Sequence, residues 1–252
     1  MLKTASFLFS AILILGSCAR KDVDPSLPAC FLKSSIANDS IKVDFEYSNN
    51  KLSEETHYSF RSGTILSHRD YQYTPGIVVI NTYSGDGTLT SVKTYEVNSN
   101  NDVVLYTGIN YSDSQKDIFD TIRYSYDANN YLISTDMDVW YIYTNPTYNN
   151  NHSTVLSSYS YPSPDVCIET TTHNSLYATV RTIEYYTDLA PNPNTLQYSP
   201  YFLGKTDYWL IKKVSDWTYT YILDNNQNVM EKRASYNNDI LLTEKFQYDC
   251  RP

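Results

Sequence analysis

Ile41-Lys-Val-Asp-Phe-Glu-Tyr47-Ser-Asn-Asn-Lys-Leu52 is the stretch that decides the fold. Ile41, Val43, Phe45 and Tyr47 fall on one side of an extended chain, and Lys42, Asp44 and Glu46 fall on the other. Successive side chains of a strand point to opposite faces, so this stretch has one apolar and one wet face along its length. Asn49 and Asn50 then turn the chain, because Asn tolerates positive φ and its side chain bonds its own backbone. Leu52 restarts the pattern. One such unit is a β-hairpin, and a series of them is an antiparallel meander packed on one face.

The unit recurs in Tyr83-Ser-Gly-Asp-Gly-Thr-Leu89, Tyr126-Asp-Ala-Asn-Asn-Tyr-Leu132, Leu223-Asp-Asn-Asn-Gln-Asn-Val229 and Tyr236-Asn-Asn-Asp-Ile-Leu241. Alternation is equally plain at Trp217, Tyr219, Tyr221 and Leu223, with Thr218 and Thr220 opposite. It runs through Ile118, Ile122, Tyr124 and Tyr126, with Asp120 intruding. Further strand-like runs occupy 51–60, 64–73, 77–83, 88–97, 103–111, 131–143, 153–161, 166–173, 176–186, 229–236 and 240–249. No long stretch has a 3.6-residue apolar period. Twenty-six Tyr against 7 Gly favour pleated, half-buried surfaces. The expectation is an all-β fold, an antiparallel meander of about 10–13 strands in hairpins that forms a curved sheet or half-barrel. At most one short helix fits, in 187–205, where Pro191, Pro193 and Pro200 interrupt any ladder.

Tyr124-Ser-Tyr126-Asp127-Ala-Asn-Asn130-Tyr-Leu132 resembles the YD repeat, with Asn130 where that family prefers Gly. The units are irregularly spaced, which argues against a strict solenoid. The whole layout is similar to short Bacteroidota lipoproteins built from such hairpins. In those a cysteine opens the domain, an Asn-Pro segment precedes the last hairpins and Tyr-x-Cys closes the chain. Here these are Cys30, Asn192-Pro193 and Tyr248-Asp249-Cys250. The resemblance implies turns and structure, and it brings no activity with it.

The N-terminus supplies an address. MLKTASFLFSAILILGSC has one early positive charge, Lys3, an apolar run from Phe7 to Leu15, and small residues before Cys18. It reads as a secretory signal too short to span a membrane stably. Leu15-Gly16-Ser17-Cys18 resembles the lipobox of bacterial lipoproteins, which implies cleavage after Ser17 and acylation of Cys18. Residues 1–17 are then the signal peptide, 18–29 a charged, Pro-containing tether, and 30–252 a single β-rich domain. The expected location is the outer membrane, lipid-anchored, on its periplasmic face or at the cell surface. Loss of Lys3 takes the formal charge from −9 to −10. An acidic chain without a Lys/Arg patch excludes nucleic acid as a partner. With Cys18 lipidated, Cys30, Cys167 and Cys250 remain, an odd number in an oxidising compartment. Cys30 precedes the first strand and Cys250 ends the last, so a Cys30–Cys250 disulfide would tie the domain's ends. Closing so long a loop stabilises by roughly 5 kcal/mol. Cys167, between Val166 and Ile168, reads as a small buried hydrophobe.

Little in the chain points to chemistry. HExxH, GxSxG, SxxK, CxxC and glycine-rich phosphate loops are all absent. His57, His68, His152 and His173 lie in different strands or loops and read as surface residues, although His57 and His68 could meet through a turn near Ser62-Gly63. Asp136 and Asp138 share a strand face, about 7 Å apart, as a solvated pair. Asp39-Ser40-Ile41 and Asp120-Thr121-Ile122 resemble the Bacteroidota O-glycosylation site. No metal or cofactor is expected, and no enzyme. Flat aromatics beside Pro- or Asn-rich segments suit sugar rings and peptides, which makes Trp140, Tyr148 and Trp209 the candidate ligand-binding residues. The leading expectation is a non-catalytic binding or scaffold module for a glycan, peptide or partner protein. A half-barrel carrier of lipid or another hydrophobic ligand is second, and a hydrolase third.

Overall fold

The structure is a computed structural model that describes residues 29–100, 102–113, 116–143, 151–186, 188–189, 195–196 and 210–251. Its strands are β1 (Ala29–Ala37), β2 (Ile41–Ser48), β3 (Lys51–Ser59), β4 (Ile65–Thr74), β5 (Ile77–Ser84), β6 (Leu89–Val97), β7 (Val103–Asp113), β8 (Lys116–Tyr126) and β9 (Leu132–Tyr143). There follow β10 (Asn151–Ser163), β11 (Val166–His173), β12 (Tyr177–Tyr185), β13 (Thr195–Leu196), β14 (Ile211–Val214), β15 (Trp217–Leu223), β16 (Val229–Tyr236) and β17 (Asp239–Arg251). Each long strand pairs antiparallel with its neighbours in sequence, and β17 returns to pair with β1, from Ala29↔Arg251 to Ala37↔Glu244. The result is a closed barrel of 16 antiparallel strands. The two-residue β13 lies outside this ring and adds in parallel beside Cys30 and Phe31.

Three expectations need correction. The sheet is a closed barrel, not a half-barrel, because β1 finds β17 at the end of the chain. The strands outnumber the expected ten to thirteen: β1, Ala-Cys-Phe-Leu-Lys-Ser-Ser-Ile-Ala, has a bulge between Leu32 and Ser34 that breaks its alternation, and β14 has only four residues. Cys30 lies inside the first strand rather than before it. Among the described residues there is no helix, and the described part of 187–205 includes β13.

The turns have a common mechanism. At the end of the barrel where β1 begins and β17 finishes, Asn98, Asp127 and Asp224 each accept two backbone N–H bonds through Oδ1, from the second and fourth residues on. The distances are 2.9 and 3.0 Å, 2.9 and 2.9 Å, and 2.8 and 2.9 Å. This Asx geometry lets the chain reverse without leaving N–H groups unsatisfied. Asn49, Asn50, Asn130, Asn237 and Asn238 take positive φ in these and the other turns. Tyrosines then stitch strand to strand at the same end. The Tyr126, Tyr161 and Tyr248 hydroxyls donate to the carbonyls of Val103, Leu132 and Val229 at 2.6, 2.9 and 3.0 Å. The Tyr-Asp pair at 126–127 thus does two jobs: the ring binds the neighbouring strand while the carboxylate shapes the turn.

Packing is concentrated at that end too. One buried cluster holds Leu52, Tyr71, Val78, Ile80, Tyr95, Val103 and Tyr106, and a smaller one holds Cys167, Ile183 and Tyr185. Cys30 and Cys250 are joined by a disulfide across the β1–β17 seam. The buried Asn228 amide sits beneath it, 3.4 Å from Cys30 Sγ and 3.7 Å from Cys250 Sγ. The opposite end is different in kind. Ile41, Phe60, Ile65, Leu66, Leu176 and Tyr177 are among the large apolar side chains left exposed there. Among the described residues, substantial backbone contact joins strands that are neighbours around the ring, together with β13 beside β1. The barrel therefore has a packed end, where β1 begins and β17 finishes, and an open end formed by the other set of turns.

Candidate functional site

Strand parity, taken from the buried residues, fixes what faces the lumen. Glu55 on β3 lies directly across from Arg69 on β4, and Glu169 on β11 across from Arg181 on β12. Lys232 on β16 is across from Glu244 on β17. Lys93 and Asp120 flank Gly108 from either side. All share the inward face with buried neighbours such as Tyr71, Tyr95, Ile183, Ala234 and Phe246. Each sits several residues from the packed end, so together they form a belt of opposite charges in four sectors of the wall.

Two sectors are tightly built. Glu55, only 2% exposed, accepts from Tyr71 Oη at 2.5 Å, Arg69 Nη1 at 2.9 Å and His57 Nε2 at 3.3 Å. Burial pushes its carboxyl upward, but the bonds from His57 and Tyr71 and the charge of Arg69 outweigh this and hold it below its ordinary value. Burial, then the Glu55 charge, raises the Tyr71 phenol strongly and takes Tyr73 up to about 12. Glu169, 5% exposed, repeats the arrangement: Tyr159 Oη donates to it at 2.9 Å and Arg181 Nε bonds its other oxygen. Burial takes Tyr159 up to about 12. β3 and β11 are eight places apart in a ring of sixteen, so these two Glu–Arg–Tyr clusters face each other across the lumen. In the third sector Tyr106 Oη donates to Asp120 Oδ2 at 3.0 Å, and a Cβ at Gly108 would strike both groups. Asp120, which breaks the apolar alternation of its strand, is thus a lumen charge with a partner.

All four histidines have ring or carboxylate partners, and His57 and His68 do not meet. His57 is level with Ser67 and His68 with Thr56, on opposite faces of the wall. His57 belongs to the Glu55 cluster. The other three each stack on an aromatic ring directly across the ladder near the open end. These pairs are His68 on Tyr83 (4.6 Å), His152 on Trp140 (4.0 Å) and His173 on Tyr177 (4.8 Å). Trp140 is half exposed on the outer wall. Beside it Asp138 accepts from His152 Nε2 and Arg123 Nη1, both at 3.2 Å, and those two bonds, His152 first, hold its carboxyl below the ordinary range. Asp136 and Asp138 are both on this outer wall. Tyr148, Trp209 and Cys18 lie outside the described residues. Cys167 is 1% exposed, and burial pushes its thiol upward, away from nucleophilic character. No cluster of three metal-ligating side chains occurs among the described residues.

The outer wall is charged at mid-strand. Asp44, Glu54, Asp70, Arg123, Asp136, Asp138, Glu231, Arg233 and Lys245 all have outward parity. They would interrupt any continuous apolar belt between the two ends.

No protein-family model matches the chain, and no curated protein matches its sequence. Solved structures do match. One is a porin-like protein from Bacteroides uniformis, 17% identical, with a TM-score of 0.50 over 87% of this chain and 95% of that one. Another is a porin-like protein from Bacteroides vulgatus, 10% identical, with a TM-score of 0.53 over 87% of this chain and 98% of that one. At these identities the likeness concerns the fold: this chain is an all-β barrel.

Proposed function

We propose that this chain is a non-catalytic, lipid-anchored barrel of the outer membrane that receives a glycan at its open end and does not itself form a pore. The observation that carries this is the contrast between the two walls. A membrane-spanning barrel presents an outward apolar band about 25 Å tall, and an Arg or Lys at its middle costs about 2–4 kcal/mol. Here the outward mid-strand positions hold acids, Arg and Lys, so the outer wall suits water. The lumen carries paired charges and tyrosines, and the mouth carries stacked aromatic pairs, a lining suited to hydroxyl-rich rings. The same belt disfavours an acyl chain, which makes the hydrophobic-carrier reading weaker.

The porin-like description of the structural neighbours favours a second reading, a conducting pore. Planar-bilayer recording with the full chain separates the two, since a pore gives stepwise conductance and a water-filled cup gives none. A glycan array probed with the same detergent-purified chain is the positive arm. Binding that Trp140→Ala weakens at least tenfold supports the proposal. Steady conductance steps together with a silent array would overturn it. Native mass spectrometry that finds retained acyl chains would restore the carrier. Cys18→Ser tests the anchor separately, by moving the protein out of the membrane fraction.

A further inference from the structure

The rim of the barrel descends in steps, because neighbouring hairpins end at different heights. Two of the steps are covered by a turn asparagine. Asn38 bonds β17 three times, to the Thr243 carbonyl at 2.8 Å, the Thr243 N–H at 2.7 Å and the Leu241 carbonyl at 3.1 Å. Asn174 bonds the Thr154 carbonyl and N–H of β10 at 2.8 and 2.7 Å. The third step, where β12 rises past the short β14, has no such cover among the described residues. On β12, β14 pairs only with Ile183–Tyr185, and the Ser215 N–H reaches the Thr182 carbonyl at 3.2 Å. Above that bond, residues 177–182 of β12 are exposed throughout, with Val180 at 67% and Leu176, in the turn, at 82%.

N–H and C=O of one strand residue point the same way and alternate along the chain. Thr182 points its carbonyl to this open side, so Ala178 and Val180 point theirs there too, and β11 takes the odd-numbered residues. Unpaired strand edges are templates for another strand. Natural edges are blunted by charge or proline, but Ala178, Val180 and Thr182 carry neither. The fold itself fills a similar gap at the packed end with a strand: β13 adds beside β1 there.

We infer that the β12 edge pairs with the same edge of a second copy, antiparallel, about a two-fold axis at Thr179. Centred there, Ala178 lies opposite the partner's Val180 and the two residues exchange both backbone bonds, twice by symmetry. On the inner face Tyr177 lies opposite the partner's Arg181, an aromatic ring against a guanidinium, again twice. No like charges oppose each other. The partner's Leu176 comes down to the Ser215-Asp216 turn, which covers the most exposed apolar side chain of the rim.

Thr179 then faces the partner's Thr179 at a non-hydrogen-bonded site, where Cα atoms are about 4.5 Å apart, within reach of a disulfide. Thr179→Cys in the full-length protein, oxidised with copper–phenanthroline in detergent, should give a linked dimer on a non-reducing gel. Thr218→Cys, outward on β15, should remain monomeric. Val180→Pro removes the open-edge N–H and no N–H donated to β11, and Val180→Lys places like charges near the axis. Either one added to Thr179→Cys should abolish the dimer while leaving the melting curve of the monomer in place. A folded Thr179→Cys protein that stays monomeric overturns the inference and leaves the edge to a different polypeptide. A dimer that survives Val180→Lys also overturns it.

Discussion

Removing the Cys30–Cys250 disulfide should cost this barrel a large share of its stability. The bond spans a sequence separation of 220. In the chain-entropy model the cross-link withdraws about 2.1 + 1.5R ln n cal/mol/K from the unfolded chain, which for a loop of this size is roughly 5 kcal/mol at room temperature. For a domain of this size a kcal/mol moves the melting point by about 2–4 °C, so the Cys30→Ala/Cys250→Ala double variant should melt roughly 10–20 °C lower. The double substitution avoids leaving one buried thiol beside Asn228, whose amide keeps its bond to Asp224 Oδ2 at 2.9 Å. Thermal scans with guanidinium titrations on oxidised parent, reduced parent and variant measure the effect, and the reduced parent should match the variant. Cys167→Ala is the control, because Cys167 is in no disulfide and its loss leaves the seam intact. A double variant that melts within about 2 °C of the oxidised parent would show that β1–β17 pairing alone determines closure, and the entropy argument would fail.

The Glu55 carboxyl is held low in the folded state, so its stabilisation is complete above the ordinary carboxylate pKa and is lost as the pH falls through the folded value. Glu55→Gln should therefore flatten the acid limb of a stability–pH curve and cost about 2–3 kcal/mol at neutral pH, discounted because Arg69 keeps solvent contact. Tyr73 and Tyr159 titrate at about 12 when folded, above the ordinary phenol value of 10.0, so their contribution is intact below pH 10 and lost between there and about 12. Tyrosinate absorbance followed alongside circular dichroism should show ionisation and unfolding rising together, and well-separated transitions would contradict it. Gln227 has φ 62, a conformation unfavourable for a side chain of its kind, so Gln227→Gly should stabilise by about 0.5–1 kcal/mol in urea titrations. Trp140→Ala should shift the melting point by no more than a few degrees, because the ring is half exposed; a loss of about 3–5 kcal/mol would make it a core residue.

The all-β meander was legible because alternation and Asx-rich turns are local signals, as Ile41 to Leu52 shows. Closure was not legible. Whether the last strand reaches the first depends on stagger summed over every hairpin, and no window of sequence contains that sum. β1 was hidden by its bulge, and β14 by its four-residue length. The lumen belt left one visible trace, Asp120 among Ile118, Ile122 and Tyr124. Glu55 and Glu169 left none, because a carboxylate flanked by threonine looks like a wet face until parity is fixed. Register likewise decided the histidines, since His57 and His68 differ by one rung and so by one whole face.

Because backbone contact runs mainly between strands adjacent around the ring, the barrel is modular in a way that a solid core is not. A duplicated or deleted hairpin leaves every other ladder intact and alters only two junctions. Barrel diameter grows roughly linearly with strand number. The bore of this architecture is therefore a stepped quantity, changed two strands at a time, and the charge sectors ride on their own hairpins as the ring widens or narrows. A lineage can resize the cavity through recombination between turns that are already near-copies of one another, without redesigning a core.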